Sequence, residues 1–339
     1  MKNQPILEVK DLCLYYLTRF NEKVRAVEGV SFELSQGQIL GIAGESGCGK
    51  STLVNGCMGL TIPPLFVESG DVRIDGSTIL GMSVENNRKE ILGKKICMIP
   101  QGALNSLNPT RKIKDLGTDM VLSHLEAAEG FLGGGSQSTH HYKKEIAERL
   151  RERFTKIGLD ADKVLDAYPV ELPAGMKQRV VIGISTLLNP RVVIADEPTS
   201  ALDVSTQKAV IKLLFDLMEA EIIGSMIFIT HELPLLRHVA SHIAIMYAGQ
   251  FVEVGTTEQV VFDSRHPYTK ALMGAMLSAE GGQRERKPVY LEGAPPNLKN
   301  VIQGCRFAER CPSVRSNCKS VFPQLRSVAD RMVRCTYAS

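Results

Sequence analysis

Apolar and polar positions along this chain fall into two regimes. Short apolar runs bounded by glycine, proline or charge occupy both flanks of residues 6–262, and a helical spacing fills the middle. Ile6-Leu7-Glu8-Val9, the segment around Leu12 to Leu17, and Val30-Ser31-Phe32-Glu33-Leu34 read as short strands. Gln36-Gly37 turns the chain into Ile39-Leu40-Gly41-Ile42-Ala43, a run apolar throughout, as a buried strand requires. Residues 70–80 and 95–99 add two more strand candidates. From about 105 to 188 the spacing is helical, as in Tyr142 to Gly158. Phe131-Leu132-Gly133-Gly134-Gly135-Ser136-Gln137-Ser138-Thr139 interrupts it with the composition of a flexible loop. Alternation then resumes with the strand Val192-Val193-Ile194-Ala195, a helix over Thr206 to Ala220, and the strand Met226-Ile227-Phe228-Ile229-Thr230. Such alternation predicts a parallel sheet with helices on both faces. Past about 280, Gly281-Gly282, Pro288, Pro295 and Pro296 break the chain into a loop-rich tail. No internal repeat is visible.

Composition narrows the class. At 339 residues and 44% hydrophobic, the chain is long enough for one large or two modest domains with a real core. A formal net charge of +3 gives no electrostatic case for binding nucleic acid. No run of eighteen apolar residues spans a membrane, and Met1-Lys2-Asn3-Gln4-Pro5 opens no signal peptide, so a cytosolic chain is expected. Eight cysteines in that setting point to metal, catalysis or packing rather than to disulfides.

The chemistry starts at Gly44-Glu45-Ser46-Gly47-Cys48-Gly49-Lys50-Ser51, which fits G-x-x-x-x-G-K-[ST], the phosphate-cradling P-loop. Its glycines let backbone N–H groups reach phosphate oxygens. Lys50 is suited to the β- and γ-phosphates and Ser51 to Mg²⁺. The loop follows a buried strand and enters a helix starting near Ser51-Thr52, whose positive dipole end favours anions. A second acidic strand end is needed to hold the metal, and Asp196, emerging from Val192–Ala195, supplies it. Glu197, one residue on, points elsewhere and suits general-base work on an attacking water. His231, ending the next strand, is placed to donate to a γ-phosphate. Gln101, following Ile96–Pro100, is a candidate for Mg²⁺ or the attacking water.

Together these residues resemble the ATP-binding-cassette (ABC) transporter ATPases. The P-loop, Gln101, Leu172-Pro173-Ala174-Gly175-Met176-Lys177-Gln178-Arg179, Asp196-Glu197-Pro198-Thr199-Ser200-Ala201-Leu202-Asp203 and Thr230-His231-Glu232 occur in the family's order over about residues 6–262. The resemblance implies an α/β P-loop NTPase fold: a RecA-like core, an antiparallel β subdomain, and an inserted α-helical signature subdomain at about 102–188. It implies ATP and Mg²⁺, with Ser51, Gln101 and Asp196 at the metal. It implies two cassettes paired head to tail, each ATP lying between one P-loop and the partner's signature. Tyr16, or its neighbour Tyr15, matches the aromatic that stacks on adenine, and Asp203 the loop crossing the dimer interface. Residues around 101–125 match the surface that receives a membrane subunit. A peripheral subunit at the cytoplasmic face of the membrane follows, with two transmembrane permease subunits and, indirectly, an extracytoplasmic solute-binding protein as partners.

The signature departs from the family's usual Leu-Ser-Gly-Gly-Gln or Leu-Ser-Gly-Gly-Met. Pro173 replaces the serine whose hydroxyl donates to the partner's γ-phosphate, and Ala174 adds a Cβ where the backbone approaches phosphate. Gly175 and Met176 match. A hydrogen bond to a charged group contributes roughly 1.5–3 kcal/mol, so hydrolysis at the partner's ATP should slow. The expectation is a heterodimer with a different ABC ATPase, in which this chain's own P-loop, Glu197 and His231 serve the competent site. A tolerated substitution, with both sites turning over, is the plain alternative.

The tail holds Cys305, Cys311, Cys318 and Cys335, spaced C-x5-C, C-x6-C and C-x16-C. Four thiolates complete the coordination of a soft metal or an iron–sulfur cluster. His266-Pro267-Tyr268-Thr269-Lys270-Ala271-Leu272, Gly293-Ala294-Pro295-Pro296-Asn297-Leu298 and Gly304-Cys305-Arg306-Phe307-Ala308-Glu309-Arg310-Cys311-Pro312 resemble the C-terminal extension of oligopeptide/dipeptide permease ATPases, here residues 263–339. That resemblance implies a [4Fe–4S] cluster on the four cysteines. Zinc is the rival, and reduced thiols packing a small tail the plain reading. Cys13, Cys48, Cys57 and Cys97 read as packing residues. Arg306, Arg310, Arg315, Lys319, Arg326, Arg331 and Arg334 read as a solvated basic face. Peptide is the implied solute, with oligosaccharide or nickel as alternatives. A regulatory ATP-binding subunit with little hydrolysis is the rival role.

Overall fold

A computed structural model describes residues 4–102, 106–124, 139–200, 202–280, 292–299 and 303–339. The glycine-rich segment 131–138 and Ala201 lie outside them; Thr139 opens a helix. Among the described residues the strands are β1 (Leu7–Leu17), β2 (Lys23–Leu34), β3 (Ile39–Ala43), β4 (Leu65–Ile74), β5 (Ser77–Thr78), β6 (Ile96–Ile99), β7 (Val192–Asp196), β8 (Ser225–Ile229), β9 (His242–Tyr247), β10 (Gln250–Thr256), β11 (Arg326–Val328) and β12 (Arg331–Val333). The chain divides into two compact units. One joins residues 1–80 to 227–339; the other is residues 81–226.

The first unit carries an antiparallel sheet in the order β2-β1-β4-β5. The two strand candidates near the N-terminus are one strand, β1, bent by an irregularity between Val9 and Leu12 where Asp11 takes φ 43°. A bulge leaves residues unpaired and re-aims the strand, which is why the apolar alternation looks interrupted. The strand expected over 70–80 is instead β4 and β5, joined by a turn at Asp75-Gly76 with both φ positive. The same unit holds the ladder β11-β12-β10-β9-β3. β3 and β9 are parallel, while β9–β10, β10–β12 and β12–β11 are antiparallel. The parallel pairing expected of the core strands is joined by antiparallel ones: β10 returns along β9 as a hairpin, and the tail adds two antiparallel strands at the edge. Every residue of β3 is buried, as its unbroken apolar run requires.

The second unit is mostly helical between β6 and β7, which pair in parallel. Among the described residues the α-helices between those two strands are Ile113–Leu122, Thr139–Lys156, Ala161–Asp166 and Ala174–Ser185. Ile113, Val121, Ile146, Leu150, Phe154, Val164 and Leu165 are buried, the i, i+4 and i+8 spacing placing Ile146, Leu150 and Phe154 on one stripe. Gly117 lets Leu150 approach: a Cβ there would lie 2.6 Å from a Leu150 methyl.

Candidate functional site: a nucleotide cradle and a thiol-lined cavity

β3 delivers the chain into residues 44–49, and the helix Lys50–Cys57 leaves them. Two glycines are demanded by contact. A Cβ on Gly44 would collide with the Met246 carbonyl oxygen, and one on Gly49, at φ 109°, with the Ala26 carbonyl oxygen. Gly49 also caps the helix in the left-handed region, which favours glycine. The loop's floor is thus pressed onto β2 and β9, while Ser46, Gly47 and Ser51 stay exposed. Lys50 Nζ folds back to donate to the carbonyl oxygens of Gly44 (2.7 Å) and Glu45 (3.0 Å). Cys48 is buried beneath it, and burial raises its thiol pKa. The packing role expected of Cys57 and Cys97 also fits: both are buried, with thiols pushed up to about 12 by desolvation.

The two tyrosines before the loop are distinguishable. Tyr15 stacks on Phe66 with centroids 5.6 Å apart, and Lys23 Nζ lies 4.4 Å above its ring. Tyr16 instead places its hydroxyl 3.3 Å from Thr52 Oγ1, on the helix that follows the P-loop. His231, in the same unit, is exposed just past β8, at a turn where Glu232 N–H donates to Thr230 Oγ1 (2.9 Å).

In the second unit Asp196 is buried at the end of β7. Glu197 follows at φ 48°, a left-handed conformation that non-glycine residues adopt at a cost of order 1–3 kcal/mol. That twist separates the two carboxylates and sends Glu197 to Gln101, whose Nε2 donates to its Oε2 at 2.6 Å. The sequence places both residues in the site but gives no sign of their bond. Pro173 caps the helix Ala174–Ser185 with φ −56° and ψ 154°, a geometry proline adopts readily, and its carbonyl accepts from Met176 and Lys177 N–H. Pro173 and Ala174 are exposed. Gly175 faces Thr206, whose methyl would lie 3.0 Å from an added Cβ. Asp203 caps the helix Val204–Glu219, accepting from the N–H groups of Ser205 and Thr206 and from both hydroxyls. The Ser205 hydroxyl heads the bonds that hold its carboxyl well below the usual range.

Comparison with known proteins decides what this cradle belongs to. Residues 27–200 match the ABC transporter family, and residues 252–318 match the oligopeptide/dipeptide transporter C-terminal region. A dipeptide transport ATP-binding protein of Caldanaerobacter subterraneus is 36% identical over 332 residues, covering 97% of this chain and 96% of that protein. The oligopeptide transport ATP-binding protein of Bacillus subtilis is 37% identical over 307 residues, covering 90% of this chain and 81% of that one. The chain belongs to the ABC transporter family, in its oligopeptide/dipeptide branch. The solved cassette MJ0796, a dimer in a post-hydrolysis state bound to ADP and Pi, aligns with TM-score 0.60 at 23% identity. It covers 74% of this chain and 98% of that structure, a likeness of fold. The cradle is accordingly that of an ABC ATPase.

The branch-specific tail of this ABC ATPase brings Cys305, Cys311, Cys318 and Cys335 to the lining of one cavity of about 220 Å³. All four are half-buried free thiols. Desolvation, reinforced by the neighbouring sulfurs, raises Cys305 to about 11 and raises Cys311 as well. Among the described residues no three His, Cys, Asp or Glu side chains are gathered closely enough to share one metal ion.

Of the tail's basic residues Arg315, Lys319 and Arg326 are exposed as expected, while Arg306, Arg310, Arg331 and Arg334 depart from expectation. Arg331 and Arg334 are 5% and 6% exposed, so they form no solvated face. Arg334 donates to the carbonyls of Phe251, Pro323 and Gly29, and Arg331 to those of Gln259 and Asp263. Arg306 pairs with Glu28 and the Ala248 carbonyl. Arg310 reaches the P-loop itself, making a two-pronged ion pair with Glu45 at 2.8 and 2.9 Å. No spacing in the sequence announces these bonds, because each joins positions tens to hundreds of residues apart.

Proposed function

We propose that this chain is the ATP-hydrolysing subunit of a membrane importer for di- or oligopeptides. The observation that carries this is the joining of a P-loop to an oligopeptide/dipeptide C-terminal region in one chain, with relatives named for dipeptide and oligopeptide transport. Gly44 to Thr52 hold the phosphates, with Tyr16 against the adenine. Its hydroxyl on Thr52 supports Tyr16 over Tyr15, whose ring already stacks on Phe66. Asp196, Ser51 and Gln101 serve Mg²⁺, Glu197 is the general base, and His231 contacts the γ-phosphate. Residues 1–262 are the ATPase domain and 263–339 the extension. The subunit lies at the cytoplasmic face of the membrane with two permease subunits; among the described residues no helix is long and apolar enough to cross it. In proteoliposomes with its companions, Lys50→Met should abolish peptide uptake and ATP turnover together. Uptake that survives it overturns the assignment.

The second cassette is a different ATPase, and the two ATP sites are unequal. Pro173 and Ala174 support this: they offer the facing nucleotide neither a side-chain hydroxyl nor a glycine backbone. The four thiols hold a [4Fe–4S] cluster. Zinc binds sulfur at about 2.3 Å and draws four thiolates to one point. What supports the cluster is that all four sulfurs line one cavity, four being the number of thiolates that complete its coordination. Protein purified without oxygen should be brown and contain iron and sulfide. A colourless preparation carrying zinc overturns the cluster.

A further inference from the structure

Glu45 is the second residue of the P-loop, and it puts a carboxylate beside the place where phosphate charge must settle. Two elements of the C-terminal extension hold it. Its backbone N–H donates to the Tyr268 hydroxyl at 3.1 Å. Its carboxylate is gripped by the Arg310 guanidinium, whose Nε also donates to the Glu292 carbonyl and whose Nη1 lies 3.3 Å from the Tyr247 hydroxyl. The Arg310 side chain is only 6% exposed, and that of Glu45 27%, so the pair is shielded from water and strong.

Arg310 is not an independent surface residue. It sits beside Cys311 in the tight turn Cys305–Cys311, where Ala308 N–H donates to Cys305 O and Arg310 N–H to Phe307 O, both at 3.0 Å. Phe307, fully buried within that turn, packs edge-on against Tyr247 and Tyr268 at 5.2 and 5.4 Å. Tyr268 is fixed in turn through His266, which it meets by an N–H bond of 3.1 Å, and His266 N–H donates to buried Glu253. The thiol-bearing turn and the phosphate loop therefore share one set of rigid contacts.

We propose that Arg310 is a positioning residue of the nucleotide site, cancelling the Glu45 carboxylate and fixing its direction, and that through this pair nucleotide occupancy and the order of the Cys305–Cys311 turn stabilise each other. Coupling of this kind is reciprocal: whatever steadies the turn tightens nucleotide, and nucleotide steadies the turn. The inference rests on the P-loop being the nucleotide site.

The test is a cycle on the full-length chain with MgADP as the probe. In the native Glu45 background, Arg310→Met should weaken MgADP binding by about tenfold or more, because it leaves an unpaired carboxylate on the loop. In a Glu45→Gln background the same change should cost less than about threefold. Equal costs in the two backgrounds, or no cost in the first, overturn the proposal. A purely structural role for Arg310 would cost the same in both. Amide hydrogen exchange supplies a readout independent of affinity: MgADP should slow exchange across 305–311 in the wild type and not in Arg310→Met. Exchange there that ignores nucleotide also overturns it. A wild-type chain that binds no MgADP would remove the P-loop assignment and the inference with it. Wild-type binding that Arg310→Met leaves unweakened removes the inference alone.

Discussion

Single residues here combine a legible identity with illegible partners. Lys50, Asp196 and Glu197 are readable because their chemistry fixes their spacing from a strand end. His266 is not, since nothing in His-Pro-Tyr-Thr says that its ring is buried. Burial lowers its pKa from 6.5 to about 3, and the Tyr268 N–H on Nδ1 holds the neutral form. The sign follows from proton counting. Between pH 6.5 and 3 the unfolded chain holds a proton on this histidine that the folded chain does not, so stability falls as pH falls through that window. The slope from this group is about 1.4 kcal/mol per pH unit. Urea unfolding midpoints measured from pH 7 to pH 4 should drop faster in the wild type than in His266→Asn, which cannot be protonated. Parallel pH dependences would contradict this.

Elements were readable in proportion to how local their causes are. β3 and β7 are buried along their whole length, and their apolar runs say so. β10 is hard to read because buried polar residues disguise it: Gln250 is 2% exposed and Glu253 not at all. Glu253 is tolerated inside because the N–H groups of Arg265 and His266 meet its two oxygens at 2.8 and 2.9 Å. Burial raises its pKa all the same. β12 is invisible for another reason, since Arg331 within it and Arg334 just beyond it look solvated until β10 and the distant carbonyls are in place. The helix Thr257–Phe262, by contrast, opens with a reciprocal capping box. Gln259 N–H donates to Thr256 Oγ1, and Thr256 N–H to Gln259 Oε1 at 2.9 Å. Thr256→Ala should cost about 1 kcal/mol in urea unfolding, while Thr256→Ser should cost little. A silent alanine variant would mean that neighbouring packing, not the cap, sets this helix start.

For the whole molecule the decisive question, if the proposed pairing with a second cassette holds, is which of the two turns over ATP. The P-loop and Glu197 of this chain would serve one nucleotide, while Pro173 and Ala174 would face the other. Glu197 is held by Gln101 in a strained backbone conformation, the kind of cost a fold retains where a side chain must point one way. Removing a general base typically lowers the rate roughly a hundred- to ten-thousandfold. In the complete transporter, Glu197→Gln should therefore leave almost no steady-state ATPase activity. The matching glutamate variant in the partner cassette should leave most of it. Restoring Pro173→Ser with Ala174→Gly should raise the partner site's share, so that Glu197→Gln combined with both reversions regains measurable turnover. Comparable losses from the two glutamate variants would mean that the proline signature is tolerated and the sites are equal. Near wild-type activity in Glu197→Gln would place the working site on the other chain.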